Sequence, residues 1–182
     1  MERMEVIPTI LDSGDRREFE TGAVRDMAEG KGRCDLMPLE QVAEIAALDI
    51  ENYSYTLDAD ERAPSMNRID RFLINIHHYQ MEGETDNIKR AIGFLLADNS
   101  KNKWHTLLEL SKHFEGGAVK YGERNWEKGL PENCYIDSAV RHYLKWRAGH
   151  TDEPHYIACL WNLICLWWTH ENITTADKGD ET

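Results

Sequence analysis

The chain has 182 residues, which is enough for one domain with a sizeable hydrophobic core. Its formal net charge of −12 argues against a general nucleic-acid binder, because such proteins cluster lysine and arginine on one face. No apolar run approaches the roughly 20 residues that cross a bilayer, and the N-terminus lacks a signal-peptide pattern, so we expect a cytoplasmic protein without membrane contacts.

Residues 1–18 are polar and contain Pro8 and Gly14 without sustained periodicity, which predicts a flexible N-terminal arm. A basic glycine-rich loop, Gly-Lys-Gly-Arg, follows at residues 30–33 and precedes a helix that begins near Pro38. Lys31 and Arg33 in this loop are candidate phosphate ligands. The signal is weak, because the spacing of a Walker A loop is missing and no strand precedes it.

Five further segments repeat apolar residues at helical spacing, and they cover about residues 68–79, 86–97, 105–121, 135–146 and 154 onward. Thr85 is a plausible N-cap for the second of them, and Pro154 suits the start of the last. Strand signals are nearly absent, so the chain is predicted to be all-α. The tail over residues 173–182 is polar and predicted to be disordered.

The last three helices carry the polar residues that suggest a site. Glu115, Asp137, His142, Asp152, His155 and Asn162 lie on or beside apolar stripes. A buried charge has a desolvation cost unless a partner or a cation offsets it, which points to a metal-dependent site. Four cysteines without metal-site spacing are not candidates, and Cys159 and Cys165 are expected to be buried free thiols.

Each candidate also has a structural interpretation. Glu115 could pair with Lys112 or Lys120, but Gly116 and Gly117 beside it forfeit about 1 kcal/mol each in a helix, which favours close approach of a ligand or of another helix.

The other acids and both histidines are similarly ambiguous. Asp137 is placed for an ordinary ion pair with Arg141, and Asp152 and Glu153 for capping. His142 and His155 are as compatible with buried hydrogen bonding as with function.

A loop after the 105–121 segment offers a possible purine site. Asn125 could supply an amide for a purine edge, Trp126 a stacking face, and Lys120 a cation for phosphate. A tryptophan in a loop is otherwise a hydrophobic anchor about half the time or more.

Several short motifs occur in an order that resembles a known family. FETGAVRDMAEGKGRCDLMP, GGAVKYGERNWEKG, DSAVRH and PHYIACLWN resemble the phage and bacterial dATP/dGTP diphosphohydrolases, which are MazG-like all-α pyrophosphohydrolases, and in particular their MazZ-type phage members. The resemblance covers about residues 19–48 and 104–170. It implies a single MazG-like helical domain over residues 19–172, with residues 50–100 as a helical insertion.

The resemblance implies that dGTP, and also dATP, is cut between the α- and β-phosphates to give the monophosphate and pyrophosphate. It further implies Mg²⁺ or Mn²⁺, a homo-oligomer (dimer or tetramer), and a role in supplying dGMP for 2-aminoadenine DNA in a phage. The ExxE and ExxD motifs of MazG enzymes are absent from the last three helices, so either His155 replaces a carboxylate or the ligand set is arranged differently.

The expected mechanism follows from charge, because carboxylates and a triphosphate repel each other until divalent cations lie between them. We expect two or three ions, held by Glu115, Asp137, Asp152, Glu153 and His155. Lys120, Arg141, Lys31 and Arg33 would neutralise the phosphates. Asn125, Trp126, His142 and Asn162 complete the substrate contacts, and Glu115, Asp137 and Lys120 are the predicted catalytic residues.

Two alternatives differ in class. An HD-type triphosphohydrolase would release tripolyphosphate from the same substrates, but it requires an adjacent His-Asp pair on a helix, and the sequence contains none. An acidic helical interaction protein would instead use the polar positions at an oligomer interface.

Overall fold

The computed structural model describes residues 16–26, 29–50, 53, 70–98 and 102–175. The predicted arm up to residue 15, the start of the segment predicted to begin near residue 68, and the tail beyond residue 175 lie outside these residues. The chain divides into an N-terminal unit, Met1–Lys31, and a larger unit, Gly32–Thr182.

The described part of the larger unit forms six α-helices. They are α1 (Leu39–Ala47), α2 (Arg71–Glu82), α3 (Thr85–Ala97), α4 (Lys103–Tyr121), α5 (Glu132–Arg147) and α6 (His155–Thr169). Short 3₁₀ helices cover Cys34–Leu36 and Asn125–Lys128, and a π-helical turn covers His170–Thr174. The predicted all-α class is confirmed.

The N-terminal unit contains a feature that the sequence did not predict. Two three-residue strands, β1 (Arg16–Glu18) and β2 (Val24–Asp26), pair antiparallel with Arg16 opposite Asp26. Strands this short, rich in charged residues, lack the alternation by which a strand is recognised.

Helix α6 lies at the centre of the larger unit. Thirteen of its residues are buried, and it packs against α1, α3, α4 and α5. Cys159 and Cys165 are buried free thiols within it, as predicted, and burial raises the pKa of both. No helix in the described ranges is both long enough and apolar enough to cross a membrane.

The helix ends differ slightly from the predicted ones. Thr85 is the first residue of α3 and Glu84 its N-cap, so the predicted cap is one residue off. Helices α2 and α3 meet at Gly83, whose φ of 71° ends α2 in a left-handed C-cap. The chain stays helical through the turn His170–Thr174, so the predicted tail is helical at residues 173 and 174.

A polar cluster closes the C-terminal end of α6, and we call it the Tyr79–Glu132–His170 cluster. The Tyr79 hydroxyl donates to Glu132 Oε2 at 2.7 Å, and His170 Nδ1 lies 2.9 Å from both Glu132 Oε1 and the Tyr79 hydroxyl. The tyrosine hydroxyl and the imidazole each donate to a carboxylate oxygen of Glu132, so the donors and acceptors of the cluster are paired with one another. The cluster joins α2, α5 and the end of α6.

Candidate active site

Three side chains converge where the chain turns from α5 into α6. His142 Nδ1 lies 3.0 Å from His155 Nδ1, and Glu153 Oε1 lies 3.4 Å and 3.3 Å from these two atoms. We call this group the His142–Glu153–His155 triad. Within the described part of the chain it is the only group of three such residues whose atoms are close enough to share one metal ion.

The local sequence explains the convergence. His142 lies in the last turns of α5, and the short connection after Arg147 brings Glu153 and Pro154 to the start of α6. His155 is the first residue of α6 and is only 2 % exposed. One short turn therefore places an exposed carboxylate between a half-buried and a fully buried imidazole.

Asp152 fixes the orientation of His155. Its Oδ1 lies 2.8 Å from His155 Nε2, and its Oδ2 lies 3.4 Å from Lys145 Nζ. The hydrogen bond with His155 lowers the pKa of Asp152 to about 2, so this carboxylate is ionised at neutral pH. An ionised acceptor places the imidazole proton on Nε2 and leaves the lone pair of Nδ1 facing the other two members of the triad.

His142 is kept neutral by its surroundings. Burial lowers its pKa, and although Glu153 opposes this effect, the net shift is downward. A neutral imidazole is the form that binds a metal ion. The triad thus presents two imidazole nitrogens and one carboxylate oxygen, all able to offer lone pairs to one point.

One face of α4 lies beside the triad. His113, Gly116, Gly117 and Lys120 share this face at helical spacing. Burial lowers the pKa of His113, and the charge of His142 lowers it further. Lys120 is exposed, and its pKa is raised mainly by the Tyr121 hydroxyl, with a smaller contribution from the charge of Glu153.

The two glycines leave space on this face of α4. A Cβ added at Gly116 or Gly117 would meet no neighbouring atom within 4 Å. The glycines are therefore not required by a close helix contact, and the space beside them is open.

The sequence did not single out His113 as a site residue. It could have been found from the helical period, since it lies four residues before Gly117 and seven before Lys120.

Among the predicted site residues, the structure brings His142, Asp152, Glu153 and His155 together, with Lys120 nearby. Glu115 is not among them, because residues 113 and 115 lie about 200° apart around a helix. Its Oε2 accepts a hydrogen bond from the Gly32 amide at 2.9 Å, so Glu115 holds Gly32 against α4. Glu115, which was predicted to be a metal ligand, therefore lies apart from the triad.

The predicted metal ligand Asp137 also lies apart from the triad. It is exposed on α5 and forms an i, i+4 ion pair with Arg141, which is the structural alternative weighed above. Arg141 also donates to Ser138 Oγ at 2.9 Å. Five positions along α5 separate Asp137 from His142, about 140° around the helix, so the two side chains leave it in different directions.

The burial of Trp126 is incompatible with its predicted use as a stacking platform for a purine. Trp126 is only 7 % exposed, donates from Nε1 to the Leu36 carbonyl at 3.0 Å, and packs edge-on against Phe114 and Trp168. Both faces of the ring are thus unavailable for a base, because the indole anchors the 3₁₀ turn to the core. Asn125 beside it is half-buried at the start of that turn.

The remaining predicted ligands serve local structure. Asn162 is buried and donates to the Ala158 carbonyl at 2.8 Å within α6. The Arg33 guanidinium is held by Asp35 and Glu123, at 2.7 Å and 2.8 Å, which raises its pKa. Lys31 belongs to the N-terminal unit.

Comparison with known proteins identifies the family. No curated protein and no solved structure matches the chain. The model of one family, described as dATP/dGTP diphosphohydrolase, N-terminal, matches residues 82–178. The match includes α3 to α6 and the triad, and it also includes residues 82–100 of the segment predicted to be an insertion. Because it covers more than half of the chain, the chain belongs to the dATP/dGTP diphosphohydrolase family and is a deoxynucleoside triphosphate pyrophosphohydrolase.

Proposed function

We propose that the His142–Glu153–His155 triad binds the divalent cation with which this enzyme hydrolyses dGTP and dATP between the α- and β-phosphates. The observation that carries the proposal is the convergence of three lone-pair donors within 3.0–3.4 Å of one another, with Asp152 behind His155. A carboxylate behind a metal-bound imidazole is the usual outer arrangement of such sites.

The spacing of the donors fits one ion. Donors bound at about 2.1 Å in octahedral or tetrahedral positions lie roughly 3.0–3.4 Å apart, which is the range of the three distances in the triad. The donor chemistry favours Mn²⁺ over Mg²⁺, because Mg²⁺ prefers oxygen ligands and imidazole suits transition metals. Further ions, if present, would be held largely by the substrate phosphates.

The bound cation would lower the pKa of a water molecule and neutralise charge on the phosphates. Asp152 would hold His155 in the ligating tautomer. Lys120 would bind the departing pyrophosphate. Gly116 and Gly117 would let the phosphate chain lie against α4, where a larger side chain would intrude.

The biological setting follows from the resemblance rather than from the geometry. We propose a cytoplasmic homo-oligomer that acts in a phage-infected cell and supplies dGMP for synthesis of DNA containing 2-aminoadenine. No bound nucleic acid is required, since the substrate is a free nucleotide.

The decisive assay incubates the purified protein with each dNTP in Mn²⁺ and in Mg²⁺ and separates the products by ion exchange. We expect dGMP or dAMP with pyrophosphate, faster in Mn²⁺, and no turnover after chelation with EDTA. Tripolyphosphate as product would contradict α–β cleavage, and unchanged turnover in EDTA would contradict the metal site.

A further inference from the structure

We propose that a second copy of this chain docks on a groove between α2 and α5, so that the two α5 helices pack antiparallel about a two-fold axis. This inference rests on the proposed function in one respect, because it names the contact surface of the homo-oligomer proposed there. The groove has a volume of about 620 Å³. Its apolar part consists of Leu73 and Ile76 from α2 and Ile136, Val140 and Leu144 from α5.

The α5 side of the groove is an apolar row of the kind that packs against another helix. Ile136, Val140 and Leu144 recur every four residues and so form one inclined row along α5. Ile136 and Val140 are partly buried against the core, whereas Leu144 is 52 % exposed. Such rows fit into one another when two helices cross, and this row is symmetric about Val140. A two-fold axis there would place Ile136 opposite the partner subunit's Leu144.

The fold holds both walls of the groove in place. The rings of Phe72 on α2 and Tyr143 on α5 stack with their centroids 4.0 Å apart, and the Tyr143 hydroxyl donates to Asp70 Oδ2 at 2.6 Å. Asp70 Oδ1 in turn accepts from the Leu73 amide and caps α2. The surface is therefore formed before association, which lowers the ordering cost of docking.

Charged residues beside the apolar row are arranged to match those of a second copy. Asp137, Arg141 and Lys145 line the groove at the same four-residue spacing. Arg141 pairs with Asp137 within the chain, yet the two side chains remain 50 % and 70 % exposed. Asp137 lies three positions before Val140, and Arg141 and Lys145 lie one and five positions after it. In an antiparallel copy centred on Val140, the partner subunit's Arg141 and Lys145 would lie about 3 Å to either side of Asp137 along the helix axis.

This charge balance favours a second copy as the occupant of the groove. The chain has 33 aspartates and glutamates against 21 lysines and arginines, so two copies repel each other overall. The groove differs, because its lining holds one acid and two bases. Antiparallel docking brings each acid next to bases of the other copy, so the same surface supplies both the apolar contact and the complementary charge.

Sedimentation equilibrium of the full chain measures this association without depending on turnover. The variant is Leu144→Glu, and the matched control is Leu108→Glu, because Leu108 is 55 % exposed on α4. We expect the wild type to sediment as a dimer. The dissociation constant of the dimer should rise at least about tenfold in Leu144→Glu, where a charge enters the contact, and change less than about twofold in the control. Circular dichroism checks that both variants keep the helicity of the wild type.

A second pair of variants tests the antiparallel arrangement and does not alter the apolar row. Asp137→Arg makes the charged flank wholly basic and Arg141→Glu makes it mainly acidic, and both side chains are exposed. Each variant should associate with itself at least about fivefold more weakly than the wild type, because like charges meet twice in a two-fold contact. An equimolar mixture should recover the dimer. A mixture that associates no more tightly than Asp137→Arg alone would overturn the proposed pairing.

The remaining outcomes also decide the proposal. A monomeric wild type would overturn it and would mean that another protein or another part of this chain covers the groove. Dissociation of Leu108→Glu but not of Leu144→Glu would overturn it by placing the contact on α4.

Hydrolysis of dGTP by the same proteins separates this proposal from the proposed function. A monomeric wild type that hydrolyses dGTP would contradict the groove assignment and leave the proposed activity intact. A dimer that dissociates in Leu144→Glu as expected, but whose wild type hydrolyses no dNTP, would support the groove assignment and contradict the proposed activity.

Discussion

The two ends of α6 carry clusters with similar residues and different hydrogen bonding. At the C-terminal end, the Tyr79–Glu132–His170 cluster is closed, because a tyrosine proton and an imidazole proton meet carboxylate oxygens. At the N-terminal end, Asp152 accepts a hydrogen bond from His155 Nε2, which leaves His155 Nδ1 as an acceptor beside His142 Nδ1 and the Glu153 carboxylate. A carboxylate behind one imidazole, together with three ligand atoms close enough to share one ion, distinguishes the candidate metal site from the structural cluster.

Neutralising Glu153 tests this comparison most directly and should cause the largest loss of activity. Glu153→Gln should lower kcat/KM for dGTP by at least about 100-fold, since losing a ligand should cost more than the 10–100-fold typical of losing an outer-shell partner. Its melting temperature should change little, because the side chain is exposed. Steady-state kinetics and thermal melts measure both quantities. The control is Glu109→Gln, another partly exposed carboxylate, on α4; equal activity of the two variants would remove Glu153 from the site.

Removing the carboxylate behind His155 should have the next largest effect. Asp152→Asn should weaken Mn²⁺ binding by about 10–100-fold, because the amide no longer fixes the imidazole tautomer as a charged acceptor does. Titration of Mn²⁺ followed by electron paramagnetic resonance provides the measurement. A wild-type affinity in this variant would mean that His155 is oriented by the core alone.

A substitution in the Tyr79–Glu132–His170 cluster should lower the stability of the protein and leave its activity unchanged. Glu132→Gln should lower the free energy of unfolding by about 1–3 kcal/mol, because Tyr79 and His170 lose a charged acceptor. Denaturant titration at neutral pH gives this value. A loss of kcat/KM at unchanged stability would contradict the structural role.

The same variant has a predicted pH dependence. Burial raises the pKa of Glu132, but hydrogen bonds from Tyr79, Thr174 and His170 outweigh it, so the folded-state pKa lies below the ordinary 4.5. Stabilisation by the ionised form is therefore fully present above about pH 4.5 and is lost as pH falls through the lowered folded-state pKa. The difference in unfolding free energy between wild type and Glu132→Gln should shrink over that acidic range.

The smallest expected effect concerns Trp126. Trp126→Phe keeps an aromatic ring but removes the hydrogen bond to the Leu36 carbonyl, which should cost about 0.5–1.5 kcal/mol of stability. The KM for dGTP should remain at the wild-type value. An increase in KM with stability unchanged would restore Trp126 to the purine site and count against its role as an anchor.

Much of the fold could be predicted because the helices have strong apolar periodicity. The segment predicted over about 105–121 is Lys103–Tyr121, and that over about 135–146 is Glu132–Arg147. Strands β1 and β2 could not be predicted, since three residues of mixed charge give no period to detect.

The candidate site was predictable only where neighbours in sequence are neighbours in space. Asp152, Glu153 and His155 lie together because they share one turn, and His142 joins them because α5 and α6 pack closely. Glu115 lies apart from this group because helical phase turns it away from His113 and Lys120. The burial of Trp126 could not be predicted, because it depends on tertiary packing, which an isolated loop sequence does not encode.

The conformation and the surroundings of Gly32 limit which residues can replace it. Its φ is +91°, its amide donates to Glu115, and an added Cβ would lie 2.1 Å from Ser111 Oγ. Any side chain at this position would therefore meet α4 in a strained backbone conformation. In a saturation mutagenesis of the loop, Gly32 should accept as few substitutions as a core position does. A Cβ added at Gly30 meets nothing within 4 Å, so only the backbone angle should restrict substitutions there.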